Sequence, residues 1–451
     1  MLPPIFCYVL RYSSNMHMPS GDDNSPVVQP HAAAHPIPPE PKYRLDPATR
    51  RLRVLVLDEE IPFPLNSGKR IRTWNLLRHL SQRHHITFLC YGSSDNPGLA
   101  SMQQLGIRVV LVSGLSPANS LDFYTGALAN LVSLWPYSVS RHHTRRFSQA
   151  IRKLITQEPL DLVHCEWTPY ASYANDIGSL PMLIMAHNME TTVWRRRAQH
   201  ASHPLERIYM GMQAWKMARF EKKSFSSSGH VAAVTEEERE TAQQWGASQT
   251  YLVSNGVDTE YLLPTGEAPE PDSLLFLGSL DWQPNRDALL YLLREILPKI
   301  QATHPAATLR IVGRQPATKL REQTEGLPGV EWVGEVPDIR PYFARAAVVL
   351  VPLRIGGGSR IKILEAMSMA KAVVATHIGA EGLDVVSDTH CLIADSPADF
   401  AQSVAQLLDE PERAATLGRN GRELVTRQYD WCRLAKILEQ AWIETACAAK
   451  K

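Results

Sequence analysis

Residues 351–367 read VPLRIGGGSRIKILEAM: the end of an apolar strand, three glycines, and a helix that begins near Ser359. Glycines let the backbone approach a ligand closely, and N–H groups at a helix N-terminus attract anions. Arg360 and Lys362 lie in or beside the first helical turn, where cations oppose the helix dipole and a bound diphosphate would neutralise them. Glu365, one turn later, suits the two vicinal hydroxyls of a ribose. A glycine turn with solvated charges is the alternative.

The sequence on both sides of this stretch alternates Val/Ile/Leu-rich runs with segments of helical period, which indicates parallel sheets covered on both faces. In the second half, we predict strands at Leu274–Leu277, Leu309–Val312, Val330–Val333, Val348–Val351 and Val373–Ala375, and helices at Arg286–Ala302, Lys319–Glu325, Arg340–Ala344 and Ile361–Met369. In the first half, we predict strands at Val54–Leu57, Ile86–Cys90, Val109–Val112, Leu160–His164, Met182–Ala186 and Val231–Val234, and helices at Arg70–Ser81 and Phe147–Gln157.

A length of 451 residues suits two or three domains. Residues 1–50 hold 10 of the 32 prolines and are expected to form a disordered tail. Residues 51–262 and 273–428 each carry one strand–helix alternation, and a Pro-, Gly- and acid-rich linker at 263–272 joins them. Residues 397–449 read as wholly helical, and 429–451 as the last helix. The predicted fold class is α/β, with two doubly wound, Rossmann-like domains facing each other across a ligand-binding cleft.

The net charge of +1 hides an uneven distribution, because residues 51–230 carry a net +9 and residues 231–451 a net −8. The basic half suggests an anionic partner or a membrane surface, with uneven solvated faces as the alternative. The six cysteines form no CxxC pair, and no histidines have zinc spacing, so a cytoplasmic compartment fits best. We expect no membrane span, which would need about 20 apolar residues, and no secretory signal.

Residues 356–367 resemble the donor-binding signature of retaining GT-B glycosyltransferases of family 4, in the variant GGGxRxKxLEAM. Matches in the second half are Ser254–Asp258 (the NGVD element), Leu277–Asn285 (the first loop of the C-terminal domain), Trp332–Asp338 (the base-binding turn), Lys371–Thr376 and Gly379–Leu383. In the first half, Asn66–Arg70 occupies the place of the family's glycine loop, and Ala186–Glu190 that of its active-site histidine. The chain from residue 51 onward looks most like the bacterial exopolysaccharide branch, including exosortase-associated transferases.

The resemblance implies a GT-B fold whose C-terminal helices pack back toward the N-terminal domain. It also implies that the catalytic residues are His187, Arg360, Lys362 and Glu365. The donor-binding residues that it implies are Gly278, Ser279, Val333, Val336, Gly356, Gly357, Gly358, Ser359, Arg360, Lys362 and Glu365.

Two departures from the family pattern concern charge at the leaving group. Many members carry two glutamates eight positions apart, but here Gly357 stands where the first would be. Many also carry an Arg and a Lys in the loop after the first C-domain strand, which here reads SLDWQP from Ser279. We infer that Arg360 and Lys362 supply the missing cations from the other side.

Two stretches of the first half are candidates for substrate contact. His187 follows a predicted strand, so it would lie at that strand's C-terminal end, facing the cleft; the resemblance implies that it contacts the donor sugar. A structural histidine that caps a loop is the alternative. Ser67, Gly68 and Lys69 lie between the first strand and the first helix, whose N-terminus can meet a phosphate of either substrate. A plain turn with solvated charges is the alternative.

The stretch Ser120–Lys153 combines an apolar run, Leu128–Trp135, with a basic run. The basic residues are Arg141, Arg145, Arg146, Arg152 and Lys153. Such a combination can lie on an anionic bilayer. A core helix followed by an exposed basic helix is the alternative.

The absence of several motifs from the sequence narrows the set of possible functions. No Asp-x-Asp follows a strand, which favours leaving-group stabilisation by cations and backbone amides over a metal ion. The sequence has no paired carboxylates typical of a glycosidase, no GxSxG and no GxGxxG after a strand. The near-neutral total charge does not favour nucleic-acid binding.

We therefore predict a retaining transferase that uses a nucleotide-diphosphate sugar and no further cofactor. Its acceptor would be a glycan or a lipid-linked glycan, in exopolysaccharide or other cell-surface glycan synthesis. The predicted location is the cytoplasm, with the inner face of the plasma membrane as a candidate partner. A GT-B nucleotide-sugar epimerase is one alternative; a non-catalytic scaffold that binds nucleotide sugar is another, and Gly357 is the feature that favours it.

Overall fold

A computed structural model of the chain describes residues 50–114, 126, 129–201, 203–280, 282–314, 326–355 and 360–448. The predicted tail at 1–50, apart from its last residue, and the predicted helix Lys319–Glu325 therefore lie outside the described residues. None of the helices in the described part of the chain combines the length and the apolar character that crossing a membrane requires.

The first half of the described chain forms a parallel sheet of seven strands in the order β3-β2-β1-β4-β5-β6-β7. Its strands are β1 (Arg53–Leu57), β2 (His85–Tyr91), β3 (Arg108–Val112), β4 (Leu162–Cys165), β5 (Met182–Ala186), β6 (His230–Ala233) and β7 (Gln249–Leu252). The chain order reverses between β1 and β4, which pair with Val54 opposite Leu162. Ligands of doubly wound sheets bind at the C-terminal strand ends beside such a reversal.

The second half of the described chain repeats the arrangement with six parallel strands in the order β10-β9-β8-β11-β12-β13. They are β8 (Ser273–Leu277), β9 (Thr308–Val312), β10 (Val330–Gly334), β11 (Val348–Val351), β12 (Ala372–Ala375) and β13 (Leu392–Ile393). Here the reversal lies between β8 and β11, where Leu274 pairs with Val348. Two doubly wound α/β domains are thus confirmed.

The helices pack on both faces of the sheets. In the first half they are α1 (Gly68–Leu80), α2 (Gly98–Gln104), α3 (Tyr137–His142), α4 (Arg145–Gln157), α5 (Ala174–Ile177), α6 (Glu190–His200), α7 (Pro204–Ser228) and α8 (Glu236–Gln244), with a 3₁₀ helix at Thr168–Tyr173. In the second half they are α9 (Gln283–Tyr291), α10 (Leu297–Thr303), α11 (Arg340–Arg345), α12 (Ile361–Ser368), α13 (His377–Ala380), α14 (Pro397–Asp409), α15 (Pro411–Gln428) and α16 (Trp431–Ala448), with a π turn at Leu292–Ile296.

The predicted strands are present with ends shifted by one or two residues, and the differences elsewhere have local causes. Helix α1 begins two residues early because the Ser67 side chain caps it, accepting from the N–H of Arg70. The predicted helix Arg286–Ala302 is interrupted by the π turn, next to Pro298, which has no N–H to donate. Residues 397–448 are almost entirely helical, as predicted, and form three helices of which the last begins at Trp431. The elements that were not predicted are strands β7 and β13 and helices α2, α3, α5, α6, α7, α8 and α13.

The last helix crosses from the second domain to the first. Trp431, Leu434, Leu438 and Trp442 of α16 share one hydrophobic core with β1, β2 and α1 of the first sheet. The C-terminal helix therefore packs back onto the N-terminal domain, as the resemblance implies. Gly256 of the NGVD element makes this crossing possible, because a Cβ there would lie 2.6 Å from the carbonyl oxygen of Tyr429, just before α16.

Candidate active site

The donor-side site begins where β8 ends. A Cβ on Gly278 would lie 2.7 Å from the side-chain nitrogen of Asn285, so glycine is required for Asn285 to pack there. That nitrogen donates to the carbonyl of Ser279 at 2.9 Å, while the Asn285 Oδ1 accepts from Lys362 Nζ at 2.7 Å. Asn285 thus fastens the loop after β8 to the first turn of α12.

Arg360 and Lys362 lie at the N-terminus of α12, as the sequence predicts. Arg360 is the residue that precedes the helix, and its side chain is almost fully buried. Its Nη2 donates to Glu381 at 3.0 Å. Burial lowers the pKa of Arg360, and Glu381 opposes that shift. Two cations therefore stand where the positive end of the helix dipole lies, which favours an anion at this point.

Lys362 and Glu365 are both half-buried and influence each other. Burial, reinforced by Arg360, lowers the pKa of Lys362 to about 7 against the opposing effect of Glu365. Burial raises the pKa of Glu365 to about 7, and Lys362 opposes that shift. A nearby anion favours the charged form of a lysine and raises its pKa. An anionic ligand bound here near pH 7 would therefore make Lys362 fully charged and be held by that charge.

The other predicted donor residues surround this point. Val333, near the end of β10, and Val336, in the turn that follows, are half-buried. The N–H of Gly313, after β9, donates to the carbonyl of Gly334 at 2.8 Å, which holds that turn beside the strand ends. The residues Gly356, Gly357, Gly358 and Ser359 lie outside the described residues.

One cation at this site was not predicted. Arg314 follows Gly313 at the end of β9, and its Nε donates to the Ser279 hydroxyl at 3.0 Å. The guanidinium of Arg314 therefore lies beside the very loop whose sequence lacks the family's Arg and Lys. A cation two residues after a buried strand was the available signal in the sequence.

In the predicted phosphate loop of the first domain, Lys69 is paired with two carboxylates, which the sequence did not predict. Ser67 caps α1 and Gly68 begins it, but Lys69 Nζ is bound by Asp58 at 2.6 Å and Glu59 at 2.7 Å. Burial alone would lower the pKa of Lys69, yet the two carboxylates outweigh it and raise that pKa. Lys69 is therefore already paired in this structure, rather than exposed as a solvated charge.

His187 lies where the sequence placed it, directly after β5. Its Nε2 is 3.2 Å from Oε1 of Glu166, which directly follows the neighbouring strand β4. Burial lowers the pKa of His187; Arg72 and Lys69 act in the same direction, and Glu166 opposes them. His187 is therefore neutral at pH 7, and a neutral imidazole can both donate and accept a hydrogen bond.

A buried glutamate of α7 anchors the loop that carries His187. The carboxylate of Glu221, on α7, accepts the backbone N–H of Glu190 at 2.8 Å and the hydroxyl of Thr191 at 2.6 Å. Glu221 is fully buried, so it fixes the start of α6 without competition from water. Sequence reasoning missed this residue, because it lies 31 positions away in the chain.

The two domains touch through their C-terminal strand ends. Glu381, after β12, lies 3.8 Å from Nη2 of Arg196 on α6 while it also accepts from Arg360. Gly382 packs against Thr235, which follows β6. Glu381 thus contacts both Arg360, which precedes α12, and α6, the helix that follows the His187 loop. Within the described residues, no group of three or more His, Cys, Asp or Glu side chains could hold a metal ion.

The predicted membrane stretch is described only in part, because residues 115–125, 127 and 128 lie outside the described residues. Val132 and Leu134 are 91% and 69% exposed, so this run does not form a core helix. The basic run begins in α3 and continues along α4. Arg145 and Arg146 are exposed, while Arg152 pairs with Asp176 at 2.7 Å.

Two family models match the chain. The model Glycosyltransferase Family 4 matches residues 67–261, and the model Glycosyl transferases group 1 matches residues 271–410. The first match contains Lys69, Glu166 and His187, and the second contains Lys362 and Glu365.

The chain is also similar to individual named proteins. The chain is 22% identical over 411 residues to glycogen synthase from Mycobacterium tuberculosis, covering 87% of this chain and 94% of that one. It is 32% identical over 193 residues to phosphatidyl-myo-inositol mannosyltransferase from Mycolicibacterium smegmatis, covering 41% of this chain and 49% of that one. Its fold is similar to that of Anabaena HepE in complex with UDP and glucose, with a TM-score of 0.59 and 14% identity over 86% of this chain and 99% of that one.

Proposed function

Because this chain is a glycosyltransferase of the GT-B fold, with a family 4 and a group 1 domain, we propose that it uses a nucleotide-diphosphate sugar and transfers the sugar with retention at the anomeric carbon. The acceptor is a hydroxyl of a glycan or a lipid-linked glycan. The product belongs to exopolysaccharide or another cell-surface glycan.

One observation carries this proposal: two buried or half-buried cations begin α12, beside the strand reversal of the second sheet. Lys362 is fastened by Asn285 to the loop after β8, and Arg360 lies in front of the helix. This arrangement suits a diphosphate, since charge-assisted hydrogen bonds in a partly dry site are strong. The UDP in the HepE structure supports a nucleotide ligand for the same fold.

Each site residue then has a role. Arg360, Lys362 and the amides of residues 356–359 bind the diphosphate and stabilise it as it departs. Glu365 accepts the two ribose hydroxyls. The turn containing Val333 and Val336 holds the base, and Gly278 and Ser279 line the phosphates. Arg314, beside Ser279, adds a third cation for the leaving group.

Retention without a protein nucleophile requires the acceptor to attack on the face from which the diphosphate departs. We infer front-side attack, in which the departing phosphate accepts the proton of the acceptor hydroxyl. His187 contacts the donor sugar from the first domain. Closure of the two domains excludes water and so limits hydrolysis of the donor. The contact of Glu381 with both Arg360 and Arg196 links donor binding to that closure, because a diphosphate on Arg360 competes with Glu381.

The acceptor enters from the first domain. The loop Ser67–Lys69 and the start of α1 are the proposed contact, with Lys69 held in place by Asp58 and Glu59. The relatives include one protein named for glycogen and one named for a phosphatidylinositol lipid, and both names support a carbohydrate or lipid-linked acceptor.

A binding and transfer experiment tests the proposal. Purified protein is screened by thermal shift with UDP-glucose, UDP-N-acetylglucosamine and GDP-mannose. A donor at 100 times its Kd should add about 2.7 kcal/mol to the free energy of unfolding and raise Tm measurably. The same donor, radiolabelled, should then label a bacterial membrane extract in the presence of EDTA. Stabilisation by none of the three, or transfer that requires added Mn²⁺, would contradict the proposal as stated.

We also propose that the first domain rests on an anionic membrane. The carbonyl of Asn130 accepts from Lys216 at 2.7 Å, which holds the apolar loop against α7. Helix α7 itself exposes apolar side chains. The resulting apolar surface consists of Val132, Leu134, Trp135, Ile208 and Trp215. Exposed apolar side chains beside a basic run are typical of peripheral binding to anionic lipid.

Changing Arg141, Arg145, Arg146 and Arg152 together to Gln should weaken binding to phosphatidylglycerol-containing vesicles by up to about 10³-fold, because each of the four cations near the surface contributes about 1 kcal/mol. Co-sedimentation at low and high salt measures the effect. The matched control changes four exposed arginines of the second half, Arg345, Arg419, Arg427 and Arg433, and should bind like wild type. Equal loss in both variants, or wild-type protein that ignores the vesicles at low salt, would overturn the membrane proposal.

A further inference from the structure

A chain of buried polar contacts runs from the last helix to His187. The indole Nε1 of Trp442, on α16, donates to Nδ1 of His164 at 3.0 Å. Nε2 of His164 lies 2.6 Å from Oε2 of Glu166, whose Oε1 lies 3.2 Å from His187 Nε2. Thr73, on α1, donates its hydroxyl to the same Oε1 at 2.9 Å. His164 and Trp442 are fully buried, and Glu166 is 2% exposed.

The indole of Trp442 determines which atoms donate and which accept in this series of contacts. An indole N–H can only donate, so Nδ1 of His164 must be the acceptor. The Nε2 of His164 therefore carries the proton that is donated to Glu166. Burial alone would raise the pKa of Glu166, but His164 and His187 outweigh it and hold that pKa well below the usual range. Glu166 therefore remains a carboxylate that can only accept.

We propose that Glu166 is the positioning residue of His187, and that Trp442 acts on the active site through His164 and Glu166. His187 Nε2 lies 3.2 Å from Oε1 of Glu166 without an aligned hydrogen bond in this structure, and no other group among the described residues satisfies it. A small rotation of the ring would align its Nε2–H with the carboxylate and so fix both the tautomer and the orientation of the ring. Nδ1 is then left as an acceptor for a hydroxyl of the donor sugar. This inference rests on the proposed function, because His187 matters for the reaction only if the cleft binds a donor sugar.

The placement of Glu166 explains why it can act in this way. It follows β4 directly, and His187 follows β5, so the two side chains lie at the C-terminal ends of adjacent parallel strands. The charged groups that face His187 are Glu166 and, with opposite sign, Arg72 and Lys69. Glu166 opposes the effect of those two cations on the pKa of His187. This effect on His187 gives the buried carboxylate a role at this point.

The first test replaces the carboxylate with an amide of the same shape. In Glu166→Gln, the amide oxygen is taken by the N–H of His164, which Trp442 keeps in place, so the NH₂ group turns toward His187. The proton of His187 should then move from Nε2 to Nδ1. Long-range ¹H–¹⁵N correlation spectra of histidine-labelled protein report the tautomer, and His187→Ala assigns the signal. An unchanged tautomer in Glu166→Gln would overturn the proposal, and this readout needs no activity.

The second test is kinetic. Glu166→Gln should lower kcat by about 10- to 100-fold, as loss of an orienting partner commonly does, with an unchanged Kd for UDP or GDP, whichever the wild type binds. In the His187→Ala background, the same change should have no further effect, because Glu166 acts through His187. Losses that multiply in the double variant would show that Glu166 acts independently and would overturn the proposal.

The third test concerns the last helix. Trp442→Phe removes only the N–H and part of the ring, and it should shift the His187 tautomer partly toward Nδ1–H. Glu439→Gln is the matched control, since Glu439 lies on the same helix but contacts His84 at 2.8 Å, outside the chain. A tautomer shift in Trp442→Phe alone supports the relay. The same shift in both variants would mean that α16 acts by packing alone and would overturn the part assigned to Trp442.

Discussion

Replacing Arg360 and Lys362 together with alanine should lower kcat/KM by about 10³-fold, because two charge-assisted hydrogen bonds to a diphosphate are worth roughly 1.5–3 kcal/mol each. The loss should appear both in donor affinity and in kcat, since the leaving group gains charge as the bond to the sugar breaks. Steady-state kinetics with the donor identified by thermal shift measure both.

The fold should survive this double change. Loss of Arg360 leaves Glu381 without that partner, and Glu381 is exposed and also lies near Arg196. Loss of Lys362 removes one bond to Asn285, which still bonds the Ser279 carbonyl, and one opposite charge near Glu365, whose pKa burial already raises to about 7. The control Arg310→Ala removes a half-buried cation of the same domain that pairs with Glu270 and Glu331 instead. Normal turnover with a normal donor KM in the double variant would contradict the assignment of the diphosphate site.

The second large effect is on pH dependence. The pKa of Lys362 is lowered to about 7 and that of Glu365 is raised to about 7, in both cases chiefly by burial. Above pH 7 Lys362 loses its proton and no longer attracts the diphosphate. Below pH 7 Glu365 gains a proton and can no longer accept from both ribose hydroxyls. The profile of kcat/KM should therefore be a bell centred near pH 7, falling about tenfold per unit on each side.

Two variants separate the limbs of this bell. Lys362→Arg keeps its charge at high pH, so the alkaline fall should disappear while the acid fall remains. Glu365→Gln should lose the acid fall at a lower overall activity. Because the two groups interact, each limb in the wild type belongs to the pair rather than to one residue. A wild-type profile that stays flat from pH 6 to pH 8 would contradict this account.

The sequence predicted the fold well because its signals are local. Runs such as Val348–Val351 are short, continuous apolar stretches rich in valine, so each strand is visible without its neighbours. Strand β13 was missed because it has two residues, and α7 because its buried and exposed residues follow no simple apolar stripe. The π turn beside Pro298 cannot be seen in a helical period that continues on both sides.

The site was predicted where residues adjoin a visible strand end. His187, Arg360 and Lys362 all follow strands or begin helices, so their position in the chain was enough to place them. Glu166 and Arg314 also follow strands, but nothing in the sequence shows that β4 lies beside β5 or that β9 ends beside Ser279. Strand order is a long-range property that one sequence does not display.

Pairings across the chain were the least visible feature. Lys69 appeared as a solvated charge or a phosphate ligand, yet Asp58 and Glu59 bind it from 11 and 10 residues away. Trp442 meets His164 from a distance of 278 residues, through a helix that returns from the other domain. Such contacts depend on how the two domains are joined, which local patterns do not encode.

The anomeric configuration of the first product formed is the most direct measurement of the proposed chemistry. A donor with an α-linked sugar, identified by the thermal-shift screen, is incubated with enzyme and acceptor, and the anomeric proton of the glycoside product is observed by ¹H NMR. The cleft described here, with cations for the diphosphate and front-side attack, predicts an α-linked product. A β-linked product at the earliest times would contradict it.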